Sequence, residues 1–319
     1  MTFTWVLGRT GLLGAALCRA LKAADTRLFT PDQRFSWAQD DELSEQLRTA
    51  VAEFSRQLGT GERWEVYWAA GVGTMSSSAD CLSPETKALA LLLHLLGADP
   101  SLKARAGTIA FASSAGAIYA GSEDEIVTED SLSAPTTAYA VEKLRQEGLV
   151  RDFTAENRNT SALLARISTL YGTGQACGKK QGLLGHIARS MIRNQPVQIY
   201  VPYDTIRDYI DAEDAAATMI SATRITRDTG QAVIKIIASE CPVTIAEIVS
   251  IFKRLARRAP RVIRSANRLS ALYSRRVQFS SIVLPECAMT PRKRLPVGIG
   301  QLMTRERIAF AAGVNTRSV

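Results

Sequence analysis

Apolar runs of strand length alternate with helical repeats through the first two-thirds of the chain, and this alternation restricts the fold more than any other feature. Phe3 to Leu7 is apolar and stops at Gly8, after which Leu13, Leu17 and Leu21 recur at helical spacing. Arg27 to Thr30 reads as a second strand, Glu42 to Leu58 as a helix, Val66 to Ala70 as a buried strand and Lys87 to Ala98 as a helix. Thr108 to Ala112 (strand), Tyr139 to Phe153 (helix) and Ala162 to Ile167 (strand) continue the pattern, and Ala232 to Ile237 reads as a strand returning to the sheet. Such alternation predicts an α/β fold, a doubly wound parallel sheet covered by helices on both faces. Sheets of this kind bind ligands at the carboxyl ends of their strands.

Gly8-Arg9-Thr10-Gly11-Leu12-Leu13-Gly14 falls where the first strand meets the first helix. Glycines there allow a tight turn, a close backbone approach to a pyrophosphate and helix-on-strand packing, while the helix N-terminus holds the phosphates. The expected ligand is a dinucleotide, NAD or NADP, on a Rossmann-type domain. An acid after the second strand would bind the adenosine ribose, and Asp32 is the candidate. Arg9 and Arg34 are candidates for pairing the 2′-phosphate of NADP, so the choice of cofactor stays open. Residues 1–168, with a returning segment at about 200–240, are expected to form the dinucleotide-binding domain. Residues 169–199 and 241–319 are expected to form a smaller C-terminal substrate-binding lobe.

Tyr139 and Lys143 lie one helical turn apart on one face. A free phenol titrates near pH 10, and a nearby cation is expected to lower that value so that the tyrosine can exchange a proton with a substrate oxygen. The lysine can also hold the nicotinamide ribose. Ahead of this pair, Ala112 to Tyr119 forms a serine-rich strand end, where a hydroxyl could bond the reacting oxygen. An isolated Tyr-x-x-x-Lys is more often a coincidence on an exposed helix. Here it follows a glycine turn and a serine-rich strand end in the order the chemistry needs.

These elements together resemble the extended short-chain dehydrogenase/reductase family, in its branch of sugar-nucleotide epimerases, dehydratases and reductases. Trp68-Ala69-Ala70-Gly71 is similar to the family's fourth-strand signature, making Ala69, Ala70 and Gly71 cofactor-binding candidates. Ser113 to Tyr119 resembles its Ser-Ser-x-x-x-Val-Tyr segment, and Arg166 to Gly172 the end of its next strand. Arg207 to Ala215 resembles its Arg-Asp-Phe/Tyr segment. The resemblance implies Tyr139, Lys143 and Ser114 as catalytic residues, with Ser113 as fallback, and Ser114, Tyr119 and Arg207 on the substrate. The family's usual proton-donating position is Ala115 here, the acid pair of dehydratases is missing, and Ala88 stands near the place of a helical asparagine. The resemblance further implies a nucleotide-sugar substrate, a loop from Gly172 to Leu184 closing over it, and a homodimer. The reaction expected first is carbon-4 epimerisation through tightly held NAD. An NADPH-dependent keto-sugar reductase is second, and a dehydrogenase of a non-sugar substrate is third. A non-catalytic cofactor-binding regulator is the reading from another class.

Composition excludes several other classes. A chain of 319 residues with 46% hydrophobic and 22% charged residues builds a large core, not a disordered or fibrous structure. Five scattered cysteines, Cys18, Cys81, Cys177, Cys241 and Cys287, lack metal-ligand or redox spacing and fit a reduced, cytoplasmic setting. His94 and His186 lie in helical patterns and are not expected to bind metal. The longest apolar run, Ala88 to Leu96, is interrupted by His94 and far short of a membrane span, and no signal peptide is evident. The net charge of +8 is partly gathered between Lys253 and Arg276, including Arg254, Arg257, Arg258, Arg261, Arg264, Arg268 and Arg275. Such a run attracts anions or nucleic acid. With no nucleic-acid module beside it, a solvated helix face is the expected reading and no nucleic-acid partner is expected.

Overall fold

The computed structural model describes residues 1–37, 39–173, 182–264, 276–287 and 292–313. The first part of the chain runs β1 (Thr2–Leu7), α1 (Leu12–Ala23), β2 (Arg27–Phe29), α2 (Asp40–Gln57), β3 (Arg63–Trp68) and α3 (Ala79–Ala98). It continues through α4 (Pro100–Lys103), β4 (Gly107–Ser114), α5 (Ala115–Ile118), α6 (Ala138–Glu156), β5 (Thr160–Ile167) and β6 (Thr169–Tyr171). The remainder comprises α7 (Leu183–Ile192), β7 (Val197–Ile199), β8 (Ile206–Arg207), β9 (Tyr209–Asp211), α8 (Ala212–Thr226) and β10 (Ala232–Ile237). β11 (Val243–Thr244), α9 (Ile245–Ala256), β12 (Val262–Arg264) and α10 (Leu295–Ala311) complete it.

Six parallel strands form the central sheet in the order β10-β5-β4-β3-β1-β2. Every position of β5 is buried, as are all but the first residues of β1 and β3, the expected pattern for strands covered on both faces. One face carries an aromatic cluster in which Phe54 of α2 stacks on Phe3 at 4.9 Å and Phe29 meets Trp5 edge-on at 5.2 Å. Leucines of α3, with Val150 and Phe153 of α6, complete that layer. Leu13, Leu17 and Leu21 of α1 pack with Ala215, Ala216 and Met219 of α8 on the opposite face. A second core is formed by α7, β7, α9 and α10 around Ile187, Met191, Phe252 and Ile299. Its helix α9 starts in a capping box, with Thr244 and Glu247 satisfying each other's backbone amides.

The chain leaves β1 for β2 on one side and returns to β3 on the other, so a crevice opens where β1 and β3 end together, Leu7 in register with Trp68. β4 and β5 also end together, Ser114 beside Ile167. Several boundaries differ from the sequence reading, two of them beside the crevice. β3 ends at Trp68, leaving Ala69 and Ala70 in the crevice. α3 begins eight residues before Lys87 and contains Pro84 in its second turn, where the Asp80 carbonyl goes without a helical donor. No described helix is long and apolar enough to cross a membrane.

Candidate active site

The glycine turn opens α1 at the crevice. Gly8 has φ +79°, and a Cβ there would come within 2.4 Å of the Ala69 carbonyl oxygen. A Cβ on Gly14 would come within 2.2 Å of the Gly8 carbonyl oxygen. Backbone therefore packs on backbone, and the Gly11 amide closes the turn on the Gly8 carbonyl at 2.8 Å. Beside the turn lies a cleft of about 340 Å³, bordered by Gly8, Thr10, Gly11, Ala69, Ala70 and Gly71, with Trp37, Trp68, Cys81 and Glu85 around it. Bare backbone at a helix N-terminus, held open where no side chain fits, matches a dinucleotide pyrophosphate. Leu13 faces the adjoining cavity, while Leu12 is half-buried against the α8 side. Arg9, Asp32 and Arg34 are exposed and lie off the cavity walls.

The adjoining cavity, about 200 Å³, brings together Ser114 from the end of β4, Tyr139 and Lys143 from α6, Ser168 following β5, and Glu85 from α3. Thr137 caps α6 through the Ala140 amide at 3.2 Å and sets the start of the helix that carries the pair. Ser114 and Tyr139 border this cavity together. The phenol is pushed up to about 12, first by burial and then by the Glu85 carboxylate, with the Ser114 hydroxyl working the other way. The lowering by Lys143 expected from the spacing is not what dominates here. The Lys143 ammonium donates to Gln146 Oε1 at 2.9 Å and stands 5.8 Å from the centre of the Tyr139 ring. Gln146 in turn donates to Thr86 at 2.9 Å. Burial pushes Lys143 down, opposed by the carboxylates Glu85, Glu147 and Glu142.

Several residues fall elsewhere than the sequence suggests. Ser113 also borders the cavity, but it is buried and its hydroxyl donates to Glu147 Oε1 at 2.7 Å, which leaves Ser114 as the uncommitted hydroxyl there. Tyr119, read as a substrate contact, is 1% exposed and bonds Arg166 Nη1 at 2.5 Å. It braces the buried Arg166–Glu147 pair because strand β4 turns directly into α5 and carries the ring inward. Ala88, placed near the helical asparagine position, is in the core, whereas Glu85 one turn earlier reaches the site. Glu85 Oε1 accepts the Val72 and Gly73 amides at 2.5 and 2.8 Å and fixes the chain after β3. Motif matching overlooked Glu85 and Trp37 because neither belongs to a spaced pattern. Glu85 falls just ahead of the helix predicted from Lys87 and Trp37 in the stretch between the second predicted strand and the next helix, places that carry no signal of a site.

A further cavity of about 220 Å³ continues past Ser114 and is lined by Met75, Gly116, Thr169, Arg207, Val277 and Phe279. Arg207 therefore borders the space beyond the serine, with its Nη1 donating to the Ile206 carbonyl at 2.7 Å. Its neighbour Asp208 is buried and saturated by Ser168 and by the amide and hydroxyl of Ser239 at 2.6 to 2.8 Å. Residues 174–181 of the Gly172-to-Leu184 loop, together with Cys177, Arg268 and Arg275, lie outside the described residues. In the basic stretch, Arg258 donates to the Met191 carbonyl and Arg276 faces Glu125 at 3.6 Å. Cys18, Cys81, Cys241 and Cys287 are free thiols. Among the described residues no group of three or more His, Cys, Asp or Glu is placed to hold a metal.

Known proteins share this fold. The dTDP-4-dehydro-6-deoxyglucose reductase of Escherichia coli is 34% identical over 106 residues, a stretch that spans 33% of this chain and 33% of that protein. Among solved structures, MoeE5 in complex with UDP-glucose and NAD superposes with a TM-score of 0.79 at 19% identity, over 97% of this chain and 100% of that one. The UDP-glucose 4-epimerase of Thermotoga maritima does so with a TM-score of 0.78 at 17% identity, over 99% and 100%. RMD from Pseudomonas aeruginosa, complexed with NADPH, gives 0.75 at 20% identity, over 97% and 99%. At these identities the likeness is one of fold. Residues 4–234 match the NAD dependent epimerase/dehydratase family, and with the glycine cradle and the Tyr139–Lys143 pair at one crevice, the chain belongs to that family as an NAD-dependent enzyme of the extended short-chain dehydrogenase/reductase type.

Proposed function

We propose that the chain reduces a keto group on a nucleotide-linked sugar, with Tyr139 as the proton donor. The observation that carries this reading is the meeting of Ser114, Tyr139 and Lys143 in one cavity adjoining the glycine-turn cleft, where burial and Glu85 favour the protonated phenol. Bound in the cleft, a reduced nicotinamide dinucleotide supplies a hydride to the carbonyl carbon. The chain's own residues do the rest. The glycine turn and Ala69 to Gly71 hold the dinucleotide, and Lys143, already oriented by Gln146, takes the nicotinamide ribose. Ser114 donates to the carbonyl oxygen and lines it up with Tyr139, whose proton converts that oxygen to a hydroxyl. A proton from solvent then restores the phenol. Arg207 binds the diphosphate or base, and the core around α7, α9 and α10 forms the substrate lobe.

Carbon-4 epimerisation, the reaction expected first from sequence, uses the same residues but begins with Tyr139 as a base. Reduction is preferred here because the Escherichia coli relative is named as a reductase of a keto sugar. The test is to supply NADH or NADPH with dTDP-4-dehydro-6-deoxyglucose, the substrate named for the Escherichia coli relative, and to follow dinucleotide absorbance. Consumption equal to the sugar reduced, lost by roughly 10²–10⁴-fold in Tyr139→Phe, supports reduction. Interconversion of UDP-glucose and its carbon-4 epimer by protein-bound NAD, without net consumption, would overturn it in favour of the epimerase. A Tyr139→Phe protein as active as the original would remove the catalytic reading altogether.

A further inference from the structure

The end of the cleft beyond the glycine turn carries an aromatic residue that no motif contains. Trp37 stands in the loop between β2 and α2 and borders the cleft together with Gly8, Thr10 and Gly11. Trp5, Trp64 and Trp68 are at most 1% exposed, whereas Trp37 leaves 39% of its surface open. A large apolar ring left open at the rim of a concave site is available to a ligand bound there. Phe35 lies 5.6 Å away at 72° and Trp68 lies 6.1 Å away at 85°, so both meet Trp37 edge-on and neither stacks on it. Two rings thus fix the position of the indole without lying flat on it. Topology explains how it gets there. β2 is the edge strand of the sheet and only three residues long, so the chain turns back toward the ends of β1 and β3 before α2 begins.

Of the two aromatic residues described on the cleft wall, Trp68 is 1% exposed, which leaves Trp37 as the ring open to a base. Asp32, the expected ribose partner, is exposed and off the wall. The bordering carboxylate, Glu85, has Oε1 occupied by two backbone amides. The rest of the lining is backbone and small or apolar side chains, apart from Thr10 and Cys81. We propose that Trp37 is the adenine platform of this cleft, the base of the dinucleotide stacking on its indole. Stacking uses the face of the base, not the ribose hydroxyls, so it contributes equally to NAD and NADP. Phosphate capture at the glycine turn and base capture at Trp37 then hold the dinucleotide at two separated points.

The inference rests on the cleft being the dinucleotide site, and it is independent of which sugar reaction follows. Its test is equilibrium titration of the full chain with ADP-ribose, NADH and NADPH. Binding is read by calorimetry and by quenching of the exposed tryptophan emission, in the wild type, Trp37→Ala and Trp37→Phe. Trp37→Ala is expected to weaken all three ligands by a similar factor, about 5- to 150-fold. Trp37→Phe, which keeps a ring and guards against a folding defect, is expected to fall between. Nicotinamide mononucleotide, which lacks the adenine, is expected to bind all three proteins alike. Equal ADP-ribose affinity in the wild type and Trp37→Ala would overturn the platform while leaving the proposed reaction standing. Failure of every protein to bind ADP-ribose or either dinucleotide would overturn both.

Discussion

Glu147 offers the sharpest test of how this site is held. It is fully buried on α6 and accepts Ser113 Oγ at 2.7 Å, Arg166 Nε at 2.9 Å and Arg166 Nη2 at 2.7 Å. Arg166, 3% exposed on β5, has Tyr119 as its remaining side-chain partner. Glu147→Ala would leave a guanidinium in the interior without its counter-charge and orphan the Ser113 hydroxyl. Breaking a buried pair from one side costs about 3–5 kcal/mol. With an unfolding entropy near 2.1 cal/mol/K per residue over 319 residues, that corresponds to a fall in Tm of about 5–8 °C. Urea unfolding gives the free energy directly and calorimetry the Tm. The double variant Glu147→Met with Arg166→Met removes both charges and is expected to recover most of the loss, since a buried pair is often replaceable by apolar side chains. Because Ser113 precedes Ser114 and α6 carries Tyr139, turnover in Glu147→Ala should fall with stability. A loss below about 1 kcal/mol, or a double variant no better than the single, would mean that water reaches the pair and that the brace argument is wrong.

Four further outcomes follow from the same geometry. Ser114→Ala should cut turnover by roughly 10²-fold with little change in Tm, whereas Ser113→Ala should lower Tm with a smaller effect on rate; the reverse assignment would move the catalytic hydroxyl. Glu85→Gln removes a negative charge that holds Tyr139 up, so the alkaline limb of the pH–rate profile should shift to lower pH. An unmoved limb would dissociate Glu85 from the tyrosine. Tyr139 and Tyr209 are both raised from 10 to about 12 by burial. The stability each contributes is therefore full below pH 10 and lost as pH rises from 10 to 12, about 2–3 kcal/mol apiece, and unfolding free energies across that range measure it. Gly14→Ala should abolish dinucleotide binding in titration calorimetry, because its methyl group would strike the Gly8 carbonyl.

The sheet was readable because its strands are buried on both faces and its helices repeat leucines at one interval, signals that survive without any partner being known. The close backbone approach at Gly8 and the placing of Tyr139 and Lys143 on one cavity were readable for a related reason, since both follow from local backbone and spacing. Glu85, Gln146 and Thr86 were not. Each acquires its role from contacts made across the fold, and no local pattern distinguishes a carboxylate that caps two amides from one that faces solvent. Tyr119 shows the opposite error: a residue inside a recognisable motif, pointed by its backbone into the core. The layout after residue 170 was also opaque. β6 pairs with β9 and β7 with β12 over long separations, and strands of two or three residues carry too little periodicity to be seen.

The chain from Lys143 to Gln146 to Thr86 has a consequence for the timing of order in this enzyme. A free lysine side chain samples many rotamers, and freezing it on a ligand costs up to about 2 kcal/mol of the association energy. Here that freezing happens when α6 docks on α3, long before any dinucleotide arrives, and it is driven by the folding of the whole domain. The ribose hydroxyls would meet an ammonium already at rest. Loosening Gln146 would therefore be felt as slower, weaker capture of the cofactor, in a molecule whose structure and charge at the reacting centre are otherwise the same.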